Sequence, residues 1–157
     1  MRSMVVVCLV VLGGVPAGAQ IIVNHSCTNI YAIPQEGIEA AKDDLRIAYG
    51  HTSHGSQVTE GMQGLVDFMN GKGYPENLYL WNEDGSDGAL FIDDYAMDGD
   101  AGYYPQWYNE TRAYLDNPAN SDVNVVMWSW CGQVSGYSAD DMQDMYLGPM
   151  SQLENDH

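Results

Sequence analysis

Between Leu45 and Met69 the chain passes from a short apolar run, Leu45-Arg46-Ile47-Ala48-Tyr49, through Gly50-His51-Thr52-Ser53-His54-Gly55-Ser56-Gln57, into an amphipathic stripe. Met62, Leu65, Val66 and Met69 recur at i, i+3, i+4 and i+7, the period of one helix face. The spacing therefore predicts a strand, a tight turn, and a helix from Ser56 or Gln57 to about Asn70. Gly71-Lys72-Gly73 then ends the helix. A strand that runs into a turn rich in hydroxyls and histidines, and then opens into a helix, is where an α/β protein places a nucleophile. The strand aims the side chain, and the helix N-terminus contributes a positive dipole and free N–H groups.

The rest of the chain repeats this alternation. Ile33-Pro34-Gln35-Glu36 opens a helix to about Asp43, with proline in the favoured first turn. Leu78-Tyr79-Leu80-Trp81 reads as a second strand. Asn82 to Gly102 reads as a long irregular section with an apolar island at Ala89-Leu90-Phe91-Ile92. A helix is predicted over Pro105 to Leu115 and a strand over Val123 to Trp128. After the turn Cys131-Gly132-Gln133, Ser138-Ala139-Asp140-Asp141 starts a helix with an acidic first turn, running towards Glu154. Helices alternating with strands imply an α/β fold in three layers, a small parallel sheet flanked by helices. The last helix should return to the sheet with another strand. The 157 residues are therefore expected to be the amino-terminal part of a longer domain.

The first 19 residues read as a leader rather than as part of that fold. Arg2 precedes the apolar run Met4 to Leu12, and Pro16-Ala17-Gly18-Ala19 supplies a small-residue cleavage site after Ala19. The run is too short to span a bilayer, and no later segment is long and apolar enough to do so. Cys8 has Val7 before it rather than a small residue, which excludes a lipoprotein anchor. A secreted or periplasmic single α/β domain over residues 20–157 is the expectation. That domain carries Lys42, Arg46, Lys72 and Arg112 against 22 acidic residues. Such an excess of negative charge argues against nucleic acid and anionic membranes as partners. It suits solubility, cation binding or a saline setting.

Cys27 and Cys131 remain after the leader. In an oxidising compartment they could pair, closing about 100 residues and stabilising by roughly 4 kcal/mol in the chain-entropy account. The alternatives are separate partners, or a Cys131 buried at the end of a core strand.

A serine hydroxyl attacks a carbonyl only when a base takes its proton and donors hold the oxyanion. His51-Thr52-Ser53-His54-Gly55 resembles a degenerate nucleophile elbow, with His in the place of the first glycine. Gly50-His51-Thr52-Ser53 also resembles the strand-turn-helix opening of the SGNH (GDSL-like) hydrolases, in which Gly-Asp-Ser ends the first strand. A second point of resemblance is Ser129-Trp130-Cys131-Gly132-Gln133, standing where that family has a Gly-x-Asn-Asp turn. The resemblance covers roughly Leu45 to Gln133. It implies a flavodoxin-like, SGNH-like fold and a hydrolase of esters, a carbohydrate acyl ester among them. Ser53 would be the nucleophile, Gly132 and Gln133 oxyanion donors, and His51 and His54 supporting residues. The family's Asp after Gly50, its Asn and its Asp-x-x-His block are missing from these residues, so the base is expected beyond His157.

Other readings of the same residues stand beside this one. Thr52, Ser53 and Ser56 lie where N-cap hydroxyls are wanted. His51 and His54 form a loose His-x-x-His that, with a carboxylate, could hold zinc. Residues 82–88 and 93–100 are rich in Asp and Gly and suit calcium in composition, without EF-hand spacing. Apart from that possible calcium no cofactor is expected, and no metal is assigned to the site. Tyr95, Tyr103, Tyr104, Trp107, Tyr108, Tyr114, Trp128, Trp130 and Tyr137 serve either a core or a sugar-facing cleft around 103–107. A secreted, non-catalytic glycan- or calcium-binding domain is the second functional expectation. Asn24-His25-Ser26 and Asn109-Glu110-Thr111 match the glycosylation acceptor pattern.

Overall fold

The sheet is built from four parallel strands, in the order β2-β3-β1-β4. The structure is a computed structural model and describes residues 24–25 and 28–157. The leader pattern, its cleavage site and Cys27 lie outside the described residues. The chain divides into two units at Ala32, and residues from Ile33 onwards form the α/β unit. Its strands are β1 (Arg46–Gly50), β2 (Trp81–Asn82), β3 (Leu90–Asp94) and β4 (Val125–Trp128). The helices are α1 (Gln35–Asp44), α2 (Ser56–Gly71), α3 (Gln106–Leu115), α4 (Ala139–Met142) and α5 (Gly148–Asp156). A π-helical turn, Gln143–Leu147, joins α4 to α5. Among the described residues no helix is long and apolar enough to cross a membrane.

The three-layer α/β arrangement follows from which side chains each strand sends to which face. On β1, Ile47 and Tyr49 are buried with Ile92 of β3, against Met62 of α2 and Val125 and Met127 of β4. On the other side Trp107 of α3, Tyr146 and Leu153 form a second core that takes in Trp128 and Trp130. Alternation along β4 thus sends Val125 and Met127 to one layer and Trp128 to the other, as a period of two requires. Trp107 stacks on Tyr146 with centroids 5.7 Å apart and planes 7° from parallel. The Trp128 indole N–H donates to the buried Thr111 hydroxyl at 2.9 Å. Most of the aromatic residues singled out in the sequence are therefore core, Trp107 included. Tyr95, Tyr103 and Tyr104 are exposed.

Two strands differ from the sequence expectation. The run Leu78 to Trp81 is mostly turn, with Leu78 N–H donating to Pro75 and Leu80 N–H to Asn77. Only Trp81–Asn82 pairs, against Leu90 and Phe91. The apolar island within the supposed loop is instead β3, which lies in the sheet interior and pairs along its length with β1. The connection over 83–89 carries the chain from the end of β2 back to the start of the parallel strand β3, through the left-handed residues Gly85, Asp87 and Gly88. Its Asp and Gly content thus reflects a tight return between neighbouring strands. The predicted terminal helix is continuous except for the π turn. Its start is a capping box, in which Ser138 and Asp141 exchange bonds through side chain and backbone.

The strand order sets where a site can form. From β1 the chain runs first to the edge strand β2, comes inwards to lay β3 between β2 and β1, and then crosses to lay β4 on the other side of β1. In a parallel sheet the loops that follow two such strands leave in opposite directions and open a crevice at their carboxyl ends. Here those loops are the ones after Gly50 and Trp128, which are register partners.

Candidate active site

Three loops meet at the carboxyl end of the sheet. The loop after β1 carries His51 to Gly55, the loop after β3 carries Asp100, and the loop after β4 carries Ser129 to Gly136. Each expected residue is found in this region, in a different role from its neighbour.

His51 turns inward. Its side chain has no solvent exposure, and Nε2 lies 2.8 Å from Asp94 Oδ1, whose side chain is 13% exposed. Nδ1 lies 3.1 Å from the Thr52 carbonyl. The ring is held between Tyr49 and Tyr95, with centroid distances of 4.5 and 4.0 Å. Both ring nitrogens are occupied by oxygen partners, which leaves neither for a metal. His51 therefore braces the turn from within. Among the described residues no group of three or more His, Cys, Asp or Glu side chains is gathered to hold a metal ion.

Gly55 packs directly on this brace. A Cβ there would lie 2.2 Å from His51 Cβ and 2.5 Å from Ser129 Oγ. The Tyr49 hydroxyl lies 3.1 Å from both the Gly55 carbonyl and Ser129 Oγ. The turn after β1 is thereby fastened to the turn after β4 through a glycine that admits no side chain.

Ser53 begins a 3₁₀ turn, Ser53–Gly55, that leads into α2. Its side chain is exposed. The capping role is not taken up here. Thr52, before the 3₁₀ turn, makes no side-chain cap bond, and the residue before α2 is Gly55, which has no side chain to cap with. Ser56 Oγ instead donates to the Ser53 carbonyl at 2.9 Å, and Thr52 Oγ1 turns towards Asp100 Oδ2 at 3.4 Å. His54, the next residue, is exposed.

From the other side, Gly132 is exposed and adopts φ 97°, a conformation that favours glycine. Gln133 is committed to its own loop. Its Oε1 accepts the Cys131 N–H at 2.8 Å, and its Nε2 donates to Asp100 Oδ2 at 2.8 Å. Asp100 Oδ1 in turn accepts the Gly102 N–H at 2.8 Å. Asp100 thus ties together all three loops.

Cys131 is a free thiol, partly exposed. Its Sγ lies 3.3 Å from Thr52 Oγ1. That hydroxyl first, and then the backbone N–H and imidazole of His54, hold the thiol down to about 7. Of the expected residues, Ser53, His54 and Gly132 are exposed and Gln133 is partly buried, whereas His51 is turned inward. Sequence reasoning missed Asp94, Asp100 and the environment of Cys131. The signal for Asp94 was present: it ends the apolar island, and a strand there puts it level with Tyr49.

Comparison with known proteins adds no relative, since no family model matches the chain and neither the curated proteins nor the solved structures give a significant match.

Proposed function

We propose that this chain is an exported α/β hydrolase of the SGNH type that cleaves an ester at the crevice between β1 and β4. The observation that carries the reading is the meeting of two turns. Thr52 and Cys131 are in contact at the carboxyl ends of adjacent strands whose onward connections diverge. Ser53 follows Thr52 directly and is exposed at the start of the 3₁₀ turn that leads into α2.

In this reading the Ser53 hydroxyl attacks the ester carbonyl. The oxyanion is received by its own N–H and by that of Gly132. The Gln133 amide, already bound to Asp100 through one N–H, has a second to offer. In place of a base beyond His157, this reading takes the exposed imidazole of His54 for proton transfer, because His51 is closed off beneath the turn. Exposed Tyr95, Tyr103 and Tyr104 flank Asp100 in sequence. They supply faces on which a sugar ring could stack, which favours an acylated carbohydrate as substrate. The leader-like residues 1–19 support delivery to the periplasm or the cell exterior.

The test is p-nitrophenyl acetate hydrolysis by the protein and two serine variants. Ser53→Ala is expected to lose activity by about a thousandfold or more, as removal of a serine nucleophile does. Ser56→Ala, which loses only a hydroxyl bonded to the Ser53 carbonyl, is expected to keep it. Activity retained in Ser53→Ala, or no hydrolysis by the unaltered protein, rejects the reading.

A further inference from the structure

One side of the sheet ends in a strand edge that no other strand among the described residues covers. We infer that this open edge, along β4, is a docking site for an extended segment of a partner protein. The segment has apolar side chains at alternate positions, a hydrogen-bond acceptor among them, and basic residues at its ends.

The two edges of the sheet are built differently. β2, at one edge, is only two residues long, and shortness is a common way to keep an edge from pairing. β4, at the other, is Val125-Val126-Met127-Trp128, with neither a charge nor a proline to blunt it. All four of its residues are only partly buried, whereas β1 beside it is almost wholly buried. The ladder shows which main-chain groups are free. The Tyr49 carbonyl accepts from Ala96 on the β3 side, and the Gly50 carbonyl accepts from Ser129 on the β4 side. Alternation therefore turns Ala48 and Gly50 towards β4, where they meet Val125, Met127 and Ser129. Val126, the register partner of Ala48, is left with its N–H and carbonyl on the open edge.

A cavity of about 450 Å³ runs along this edge. Val125 and Val126, whose side chains leave the strand on opposite faces, both line it, so it follows the edge rather than one face of the sheet. Trp107 and Leu115 of α3, with Met150 and Leu153 of α5, form its apolar wall. An added strand lays its main chain against Val126 and sets alternate side chains in the cavity, which is how edge addition combines affinity with specificity. Trp107 is 2% exposed, and its indole N–H is buried without a hydrogen-bond partner among the described residues. Buried donors are seldom left unpaired, so the segment brings an acceptor as well as apolar groups.

Charge selects the partner. Glu154 and His157 line the cavity, His157 pairs with Asp116 at 3.7 Å, and Asp122, paired with Arg46, lies just before the strand. No lysine or arginine is among the described residues that line it. The whole chain carries a formal charge of −17. A second copy meeting its own edge would bring like charges together, whereas basic flanks are drawn in.

The test does not use ester hydrolysis, so its failure and that of the hydrolase reading are separable. The probe is the fluorescein-labelled peptide amide Lys-Val-Ser-Thr-Ser-Val-Lys, titrated into the protein and read by anisotropy. Saturable one-to-one binding is expected. It should weaken by about tenfold or more when both lysines become glutamates. It should weaken as much when the peptide amides are N-methylated, which removes edge hydrogen bonds and keeps the charge. Hydrogen exchange read by NMR locates the peptide on the unaltered protein, where saturation should slow the Val126 amide by about tenfold. Val126→Pro deletes an outward N–H and spares the ladder to β1, so it should bind about tenfold more weakly or worse. If that variant does not fold, the exchange of Val126 decides alone. No binding, equal affinity for the methylated or glutamate peptide, an unprotected Val126 amide, or a dimer that excludes the peptide overturns the inference.

Discussion

The imidazole of His51 and the carboxylate of Asp94 are joined at 2.8 Å inside the sheet's carboxyl end, one from the turn after β1 and the other from the last residue of β3. This pair ties an exposed, hydroxyl-rich turn to the sheet. The turn is braced from below by a buried ring, and the outward residues Ser53 and His54 are presented by that brace.

Breaking the pair should cost stability well beyond a surface substitution. Asp94→Ala leaves a fully buried imidazole nitrogen without its acceptor, and His51→Ala opens a void between Tyr49 and Tyr95. Each is expected to destabilise by about 3 kcal/mol, the usual scale for removing one partner of a buried pair. Urea unfolding of both variants and the double variant checks this. The double variant should lose less than the two singles together. Strict additivity would mean that the contact carries no coupling.

Two glycines give opposite expectations. Gly55→Ala drives a methyl group to within 2.2 Å of His51 Cβ, so it should be destabilised by at least about 2 kcal/mol. Gly64, exposed in the middle of α2, has nothing within 4 Å of an added Cβ. Gly64→Ala should stabilise by about 0.5–1 kcal/mol through helix propensity. Thermal melting of the two variants decides the pair of signs.

The thiol predicts a pH dependence. Cys131 titrates lower in the folded chain than in the unfolded one, at about 7 against roughly 8.5. Between these values the unfolded chain holds a proton that the folded chain has released, so stability rises with pH. The contribution is complete above the unfolded value and is lost as pH falls through the folded one. Urea midpoints of the reduced protein and of Cys131→Ser, taken from pH 6 to 9, should therefore diverge in favour of the native residue as pH rises. Parallel curves would show that Thr52 and His54 do not act on the sulfur.

Much of the fold was legible because period and composition agree along β1, α2, α3 and β4. The turn 50–57 announced itself because glycine, histidine and hydroxyl residues were packed between two periodic segments. β3 was not read as a strand because Leu90-Phe91-Ile92 is short and flanked by Asp and Gly, the composition of loops. Those residues serve the tight return from β2 and place Asp94 and Asp100 at the site. The same confusion hid the partner of His51. Nothing local to His51-Thr52-Ser53-His54 says that one histidine points inward and the other outward. That is set by Tyr49, Tyr95 and Asp94, one before the turn and two some 40 residues beyond it. Cys131 was similarly opaque, since its surroundings come from a loop 79 positions earlier.

The account rests on Ser53 as the nucleophile, and covalent capture tests that most directly. The protein is incubated with a fluorophosphonate, digested, and mapped by mass spectrometry. The account predicts a single phosphonyl adduct on the hydroxyl of Ser53, absent after heat denaturation and absent in Ser53→Ala. An unlabelled Ser53, or an adduct that persists in Ser53→Ala, would contradict it.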